Sequence, residues 1–422
     1  MILYPHQKEA LTNTKDQTHV AYYHDMGLGK TYTGAEKMNE LNAVVNLVVC
    51  QKSKVRDWVD HFTDNYNLTV YDLTDLKNCG LEQFLQAAKT GPYKIVGIIN
   101  YDLIFRRPDL LQLEDFTLML DESSLIQNDK TKRTKFIMRL QPANVILLSG
   151  TPTGGKYENL ITQMNLLGWN ISEKTFWNQY VDWEWNETND GFWQKKIKGY
   201  KNEERLKRKM RQHGCHFLKT EDVLDLPQQI DQIIRVPTTI DYKKFHKNHY
   251  LEIDGKELAG ETILTQMLYE RQLCGQYNEN KIEAFKDLIE STDDRIIVFY
   301  NFNEELDEIL LAADKVNKPI SVINGEHKRL DYYEEYNNSV TVVQYRAGAY
   351  GLNLQKANKV IYFTPPLSSE LFEQSKKRIH RINQTRTCFY YYLVCRNSIE
   401  EKIYNTLAMR HNYTEKLFEE GK

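Results

Sequence analysis

Residues 27–31 have the side chains and the spacing of a loop that binds phosphate. The stretch Gly-Leu-Gly-Lys-Thr follows an apolar run that ends at His24, and it opens an amphipathic segment. Glycines let backbone N–H groups approach phosphate oxygens, and a helix N-terminus adds free donors and a favourable dipole. The Lys30 ammonium can neutralise the β- and γ-phosphates, and the Thr31 hydroxyl can bind Mg²⁺. A simple glycine turn remains the alternative, because His24 stands where the usual pattern has a glycine.

Two carboxylates form a second candidate group. Asp121 ends the apolar run 117–121, which predicts a buried strand, and Glu122 follows it directly. Ligands of parallel α/β sheets bind beyond the carboxyl ends of the strands, so the pair is expected beside the phosphate loop. Asp121 can hold Mg²⁺, and Glu122 can orient and deprotonate an attacking water. The two groups together predict hydrolysis of ATP or GTP, and an ordinary acidic helix N-terminus is the alternative.

Alternating strands and helices must position these groups. Near-continuous apolar runs indicate parallel strands that are buried on both faces, and amphipathic segments lie between them in the order of a doubly wound sheet. The strands predicted in the first part of the chain are 19–24, 44–50, 94–100, 117–121 and 144–149.

The same alternation returns after residue 279. The strands predicted there are 295–300, 319–323, 340–345, 359–363 and 388–394. The helices predicted there are 281–290, 304–313, 369–381 and 398–410. The sequence therefore predicts two α/β units of the same general kind.

The middle of the chain, residues 169–278, is charged and aromatic, and it is helix-like where it is periodic. Residues 195–211 carry nine basic side chains against two acidic ones. This cluster is either a solvated helical face or a surface that tracks phosphates, where clustered Lys and Arg gain affinity through counterion release. The predicted domains are therefore 1–168, 169–278 and 279–422.

Composition excludes several classes of protein. The formal net charge of −3 excludes a strongly basic, histone-like binder, so any nucleic-acid surface must be a local patch. No apolar run approaches the roughly 18 residues of a membrane helix, and the N-terminus lacks the pattern of a secretion signal. The six cysteines are scattered, without a C-x-x-C pair, which favours a reducing compartment. We therefore expect a cytoplasmic protein with no membrane contact.

Several stretches resemble the motifs of superfamily 2 nucleic-acid motors, and within them those of the Swi/Snf-type DNA translocases. In the first half, residues 4–7 resemble the glutamine motif, 25–31 the phosphate loop, 48–53 motif Ia, 100–101 motif Ib and 148–152 motif III. In the second half, residues 297–302 resemble motif IV, 345–354 motif V and 374–384 motif VI. Motifs V and VI are the most specific of these signals.

The resemblance implies an α/β fold with two tandem RecA-like parallel-sheet domains and short helical insertions between them. It implies ATP and Mg²⁺ as cofactors, with Mg²⁺ held by Thr31 and Asp121. The implied catalytic residues are Lys30, Asp121, Glu122 and two arginine fingers from the second half, Arg378 and Arg381. The implied nucleotide-binding residues are Gln7, Met26, Gly27, Leu28, Gly29, Lys30, Thr31 and Gly351. The implied nucleic-acid contacts are Lys52, Ser53, Asn100, Arg346 and Asn353.

Simpler alternatives apply to parts of this set. The two arginines could form a basic helix face that pairs with acidic neighbours, and Gly351 could belong to an ordinary strand-to-loop turn. The chain also departs from the family pattern. Ser123 and Ser124 stand where the family usually has Ala-His, and Lys377 stands where an aspartate is usual.

The function expected from the resemblance is ATP-dependent translocation on DNA, with duplex DNA favoured as the track. Contacts to phosphates carry no sequence information, so binding without sequence specificity is expected. A strand-separating DNA or RNA helicase is one alternative, and an ATP-gated DNA-binding clamp with weak hydrolysis is another. The short insertions indicate a compact bacterial or phage protein. A monomer is expected, although no sequence pattern sets the oligomeric state. The sequence does not identify its protein partners.

Overall fold

The computed structural model describes residues 2–75, 79–91, 93–187, 193–348 and 352–418. The chain folds into two units. The first comprises Met1–Val223 together with Asn412–Lys422, and the second comprises Leu224–His411. Each unit is organised around one parallel sheet.

The strands of the first unit follow the apolar runs of the sequence. A seven-stranded parallel sheet has the order β3-β4-β2-β5-β6-β1-β9, and β7 and β8 form a separate antiparallel hairpin. The strands are β1 His19–His24, β2 Val45–Cys50, β3 Thr69–Asp72, β4 Ile95–Asn100, β5 Phe116–Asp121, β6 Asn144–Ser149, β7 Val181–Glu187, β8 Trp193–Tyr200 and β9 Cys215–Leu218.

Helices cover this sheet, and successive residues of a strand enter different cores. In β1, Val20 and Tyr22 pack in one apolar cluster, whereas Ala21 and Tyr23 pack in the other. This is the alternation that a strand buried on both faces requires. The helices are α1 Pro5–Asn13, α2 Lys30–Leu41, α3 Val55–Asn65, α4 Cys79–Thr90, α5 Tyr101–Ile104, α6 Lys132–Ile137, α7 Ile161–Leu166, α8 Glu173–Tyr180 and α9 Glu203–Gln212.

The second unit contains a six-stranded parallel sheet of order β10-β17-β16-β13-β15-β14 and a small antiparallel hairpin, β11–β12. Its strands are β10 Gln229–Val236, β11 Tyr250–Ile253, β12 Lys256–Ala259, β13 Ile296–Tyr300, β14 Ile320–Ile323, β15 Val340–Gln344, β16 Lys359–Tyr362 and β17 Cys388–Cys395. Its helices are α10 Ile240–Asn248, α11 Ile263–Cys274, α12 Glu279–Glu290, α13 Asn303–Lys315, α14 Asp331–Glu335, α15 Tyr345–Gly348 and α16 Ser369–Lys376. The last helix, α17 Ile399–Phe418, belongs to the second unit as far as His411.

The predicted α/β fold with two parallel sheets is confirmed, and the ten strands predicted from apolar runs are present within one or two residues. The middle region differs from the helix-like segment that we expected. It contains the hairpin β7–β8, and it contributes the edge strands β9 and β10 to the two sheets. Edge strands such as β10 expose most of their residues, so their sequences lack the apolar run that marks a central strand.

A buried ion pair fastens α17 to the sheet of the second unit. The Lys281 ammonium on α12 lies 2.6 and 2.7 Å from the two oxygens of Glu400, and both side chains are fully buried. Lys281 also donates to the Phe363 carbonyl at 3.0 Å, and Glu400 accepts the Cys395 N–H at 2.9 Å. The additional partners satisfy both charges where water is absent, which is the condition for a stable buried pair.

Removal of one partner should therefore destabilise the second unit. We expect Lys281→Met to lower the free energy of unfolding by about 3–5 kcal/mol, because it leaves the Glu400 charge buried and unpaired. Lys286→Met is the matched control on the same helix, since the Lys286–Glu283 pair is partly exposed and should contribute at most about 1 kcal/mol. Urea unfolding of the full chain measures both variants. Equal midpoints for the two would contradict the assigned role of the pair.

Candidate active site

The phosphate loop adopts a conformation that its glycines make accessible. Strand β1 ends at His24, helix α2 begins at Lys30, and Gly27 and Gly29 have φ angles of 88° and 72°. These values lie in the left-handed region, which glycine enters at no steric cost. A Cβ on Gly29 would also lie 2.3 Å from the Gln7 amide nitrogen. The prediction that this loop follows a strand and opens a helix is confirmed, and phosphate binding stays a prediction.

The Lys30 ammonium lies at the carboxyl edge of the sheet. It donates to the carbonyls of His24 at 2.9 Å and Asp25 at 3.2 Å. A Cβ on Gly150 would come within 3.3 Å of it, so the ammonium also adjoins the segment that follows β6. Thr31, the second residue of α2, is half-buried. The positive end of the α2 dipole, together with the ammonium, forms a site suited to an anion.

Gln7 on helix α1 holds the loop by its backbone. Its amide nitrogen donates to the carbonyls of Leu28 at 3.3 Å and Gly29 at 3.1 Å, and its oxygen accepts the Tyr4 N–H at 2.8 Å. A ring nitrogen of His6 also contacts the Leu28 carbonyl, at 3.1 Å. The structure thus brings the predicted glutamine motif into direct contact with the phosphate loop, and Gln7 itself is 1% exposed.

Asp121 is the last residue of strand β5, and it is half-buried. Its Oδ2 accepts the Trp58 indole N–H at 2.9 Å. Burial raises the pKa of Asp121, and the Trp58 hydrogen bond and the positive charge of Lys30 oppose that rise. An oxygen ligand at the strand end, close enough to sense the lysine charge, suits a hard cation such as Mg²⁺, and the Thr31 hydroxyl would be a second oxygen ligand.

The Glu122 backbone is strained. Its φ of 56° places a non-glycine residue in the left-handed region, at a cost on the order of 1–3 kcal/mol. The Tyr101 hydroxyl stabilises this turn by donating to the Asp121 carbonyl at 2.9 Å. Strain of this kind is concentrated at functional sites, where it directs a side chain. The turn ends β5 and leads into the 3-10 turn Ser123–Ile126.

The register of the sheet brings these segments together. In the order β5-β6-β1, Asp121 pairs with Leu148, and Tyr23 pairs with Ser149. The phosphate loop, the carboxylate turn and the segment after β6 therefore leave the same edge of the sheet from neighbouring strands.

Gln163 on α7 connects all three strand ends, although no sequence motif pointed to it. Its oxygen accepts the Ser123 hydroxyl at 2.8 Å and the Tyr23 hydroxyl at 3.0 Å, and its nitrogen donates to the Pro152 carbonyl at 2.8 Å. The side chain is fully buried. The one available hint was the departure at Ser123, a hydroxyl where the family usually has alanine.

The predicted nucleic-acid contacts of the first unit also lie at this edge. Lys52 is exposed and opens the 3-10 turn after β2, and Ser53 is half-buried beside it. Asn100 is the last residue of β4, where it pairs with Cys50. The Asn100 side chain is largely buried, so Lys52 is the most accessible of the three for a phosphate.

In the second unit, the two candidate arginines follow α16 instead of lying on it. The helix predicted for residues 369–381 ends at Lys376, so the extent of that prediction was wrong. The Arg378 carbonyl accepts the Leu354 N–H at 3.2 Å, and the Gln384 amide donates to the Ala357 carbonyl at 2.8 Å. These tertiary hydrogen bonds hold the segment as turns against residues 352–357, in place of further helix.

The same contacts bring motifs V and VI together. Arg381 donates a hydrogen bond to the Asn353 side chain, and burial lowers the pKa of its guanidinium. Arg378 is 4% exposed, whereas Arg346 on α15 is exposed. A predicted finger and a predicted nucleic-acid contact are thus hydrogen-bonded to each other. The predicted site residue Gly351 lies outside the described residues.

Family comparisons agree with these motifs. Residues 13–279 match the SNF2-related domain, and residues 280–383 match the helicase conserved C-terminal domain. The chain therefore belongs to the SNF2-related family, and the predicted resemblance is confirmed. The bacterial or phage origin stays a prediction. In the described part of the chain, no helix combines the length and the apolar character needed to cross a bilayer.

Two relatives illustrate the match. The chain is 24% identical over 342 residues to the SWI/SNF-related matrix-associated actin-dependent regulator of chromatin subfamily A-like protein 1 homolog of Caenorhabditis elegans, which covers 75% of this chain and 48% of that protein. It is 24% identical over 456 residues to the DNA repair and recombination protein RAD54-like of Drosophila pseudoobscura pseudoobscura, with coverage of 90% and 58%. The chain spans about half the length of the curated relatives it matches.

A solved structure is also similar. It is the Sulfolobus solfataricus SWI2/SNF2 ATPase core in complex with dsDNA, with 21% identity and a TM-score of 0.46. The match covers 98% of this chain and 92% of that one.

The hydrogen bonds that Gln163 makes to Tyr23, Ser123 and Pro152 lead to a prediction. Gln163→Leu keeps the volume of the side chain but leaves the Ser123 hydroxyl and the Pro152 carbonyl without their partner. We expect ATP turnover to fall by roughly tenfold to a hundredfold through misplacement of the Glu122 turn, with a much smaller change in KM. Ser123→Ala removes one of the three hydrogen bonds and should cause a smaller loss. Steady-state kinetics test both variants, and an unchanged kcat for Gln163→Leu would remove the positioning role.

Proposed function

We propose that this chain is an ATP-dependent DNA translocase of the Swi/Snf type, which couples ATP hydrolysis to movement on duplex DNA. One observation carries the proposal. Lys30, Asp121 and Glu122 lie at the same carboxyl edge of one parallel sheet, in a chain that belongs to the SNF2-related family. That combination suits a site where hydrolysis of a nucleoside triphosphate drives movement along DNA.

The residues of the first unit divide the chemistry between them. The N–H groups of the first turn of α2 and the Lys30 ammonium bind the phosphates, and Gln7 keeps the loop in the required conformation. Glu122 orients the attacking water and takes its proton. Thr31 and Asp121 hold Mg²⁺, which, when bound, neutralises charge on the phosphate oxygens.

Arg378 and Arg381 act as the arginine fingers in this proposal. A finger stabilises negative charge on the transferring phosphoryl group and accelerates hydrolysis on the order of 10³–10⁵-fold. Two observations support the assignment. Both arginines lie in turns that hydrogen-bond to residues 353 and 354, and Arg381 is half-buried, so its guanidinium is incompletely hydrated. Such a group gains most from a negatively charged partner.

The track is duplex DNA, contacted through its phosphates. Lys52, Ser53 and Asn100 in the first unit and Arg346 and Asn353 in the second are the proposed contacts. Such contacts fix position without reading bases, so affinity should depend on salt and not on sequence. The similarity to a protein named for DNA repair and recombination supports DNA, and not RNA, as the polymer.

Polymer-stimulated ATPase activity tests the proposal. Duplex DNA should stimulate turnover more than single-stranded DNA or RNA, and triplex displacement without unwinding should accompany it. Stimulation by RNA alone, or efficient strand separation, would replace the translocase with a helicase. Turnover that stays at background with every polymer would indicate a clamp.

Two variants test the residue roles. Glu122→Gln should bind ATP normally but hydrolyse it about 10²–10⁴-fold more slowly, because the carboxylate that takes the proton is lost. Lys30→Ala should lose both nucleotide binding and turnover. Glu82→Gln, an exposed carboxylate on α4, is the matched control and should behave as wild type. Normal hydrolysis by Glu122→Gln would end its assigned role.

A further inference from the structure

The hairpin β7–β8 carries tryptophans on one face. Register pairs Trp185 with Lys195 and Glu187 with Trp193. Residues directly opposite each other in an antiparallel pair share a face, as do alternate residues along a strand. Trp185, Trp193 and Lys195 therefore share one face, with the two indoles at diagonal positions. Trp185 is 56% exposed, and Trp193 is 62% exposed.

The base of the hairpin is firmly attached to the first unit. Val181 is fully buried, and the Tyr200 ring stacks on Tyr157 at 4.2 Å between centroids. The Tyr200 hydroxyl donates to Glu158 at 2.8 Å. The exposed indoles thus belong to a hairpin whose base is anchored to the first unit.

Lys195 supplies a cation on this face, which also carries the exposed carboxylate of Glu187. The Lys195 ammonium lies 4.6 Å from the centroid of Trp183 and 4.7 Å from that of Trp177, and the Lys195 side chain is exposed to solvent. These two partners are neutral rings, so they leave the charge of the ammonium in place. A lysine held against indoles can pair with a phosphate while the rings contact an apolar ligand.

Helix α9, which follows β8 in the chain, carries a row of arginines. Arg205, Arg208 and Arg211 are exposed at intervals of three residues, which places them on one side of the helix. The Asn202 side-chain amide, at the start of α9, donates to the Gln179 carbonyl at 2.7 Å, so α9 begins beside the end of α8. Helix α8 also carries Trp177, over which Lys195 lies, and it therefore connects the arginine row to the hairpin.

We propose that the hairpin β7–β8 and helix α9 form a second nucleic-acid site, which binds single-stranded DNA. Bases stack on Trp185 and Trp193, and the backbone phosphates pair with Lys195 and the arginine row. The base faces of a duplex are covered by neighbouring pairs, so exposed indoles favour unpaired bases. An acidic protein could pair with the arginine row, but it would leave the indoles unused. None of its residues is among the contacts proposed for duplex DNA.

Equilibrium binding without ATP tests the proposal, with labelled oligothymidylate and a labelled duplex as probes for the full chain. We expect affinity for oligothymidylate to fall by roughly tenfold for each indole removed in Trp185→Ala and Trp193→Ala, as loss of one stacked base requires. Trp185→Phe retains a stacking ring and should recover most of the affinity. Tyr93→Ala, which removes an exposed ring elsewhere on the first unit, is the control and should change nothing.

The contribution of the three arginines to the affinity is measured by the salt dependence of binding. Replacement of Arg205, Arg208 and Arg211 by glutamine should lower the slope of log affinity against log salt by about 2, since each single-strand phosphate contact contributes about 0.7. Unchanged affinity of the double tryptophan variant for oligothymidylate, or an equal loss for duplex and single strand, would overturn the proposal. Duplex-stimulated ATPase activity should persist in the tryptophan variants, and Glu122→Gln should still bind oligothymidylate. Failure of this site and failure of the motor are therefore distinguishable.

Discussion

The architecture of the candidate active site depends on one constraint, the parallel register of β5, β6 and β1. Because the strands run in the same direction, their carboxyl ends deliver the carboxylate turn, the segment after β6 and the phosphate loop to one edge of the sheet. None of these segments could assemble the site alone. A shift of one strand by a single residue would also exchange the two apolar cores, so packing and chemistry enforce the same register.

Buried glutamine side chains then fix the conformations of the loops that the strand register brings together. Gln7 holds the carbonyls of the phosphate loop, and Gln163 links Ser123, Tyr23 and Pro152. A buried amide that loses its partners leaves unsatisfied polar groups, so these side chains favour one arrangement of the loops over others. In the second unit, Gln384 has the same structural role for the turn that contains the two arginines. Each of these three places therefore contains a glutamine that donates a hydrogen bond to a backbone carbonyl of another segment.

The central strands were predictable because burial on both faces requires near-continuous apolar sequence, and the turn from β1 into α2 was predictable because its glycines can adopt positive φ angles. The end of α16 was not, since hydrogen bonds to residues 352–357, far away in sequence, stop the helix at Lys376. The edge strand β10 was missed because an exposed edge needs no apolar run, and β9 was missed because it has only four residues. Gln163 stands on an ordinary helix, and its partners come from three other segments. The features that the sequence did not predict therefore depend on contacts between segments that are distant in the chain.

Amide hydrogen exchange with and without a non-hydrolysable ATP analogue and Mg²⁺ tests most directly whether these strand ends form a single nucleotide site. We expect protection to increase together in the first turn of α2 and in the turn at residues 121–126. Protection of one of these segments without the other, or of neither at saturating analogue, would show that the strand ends do not form one site.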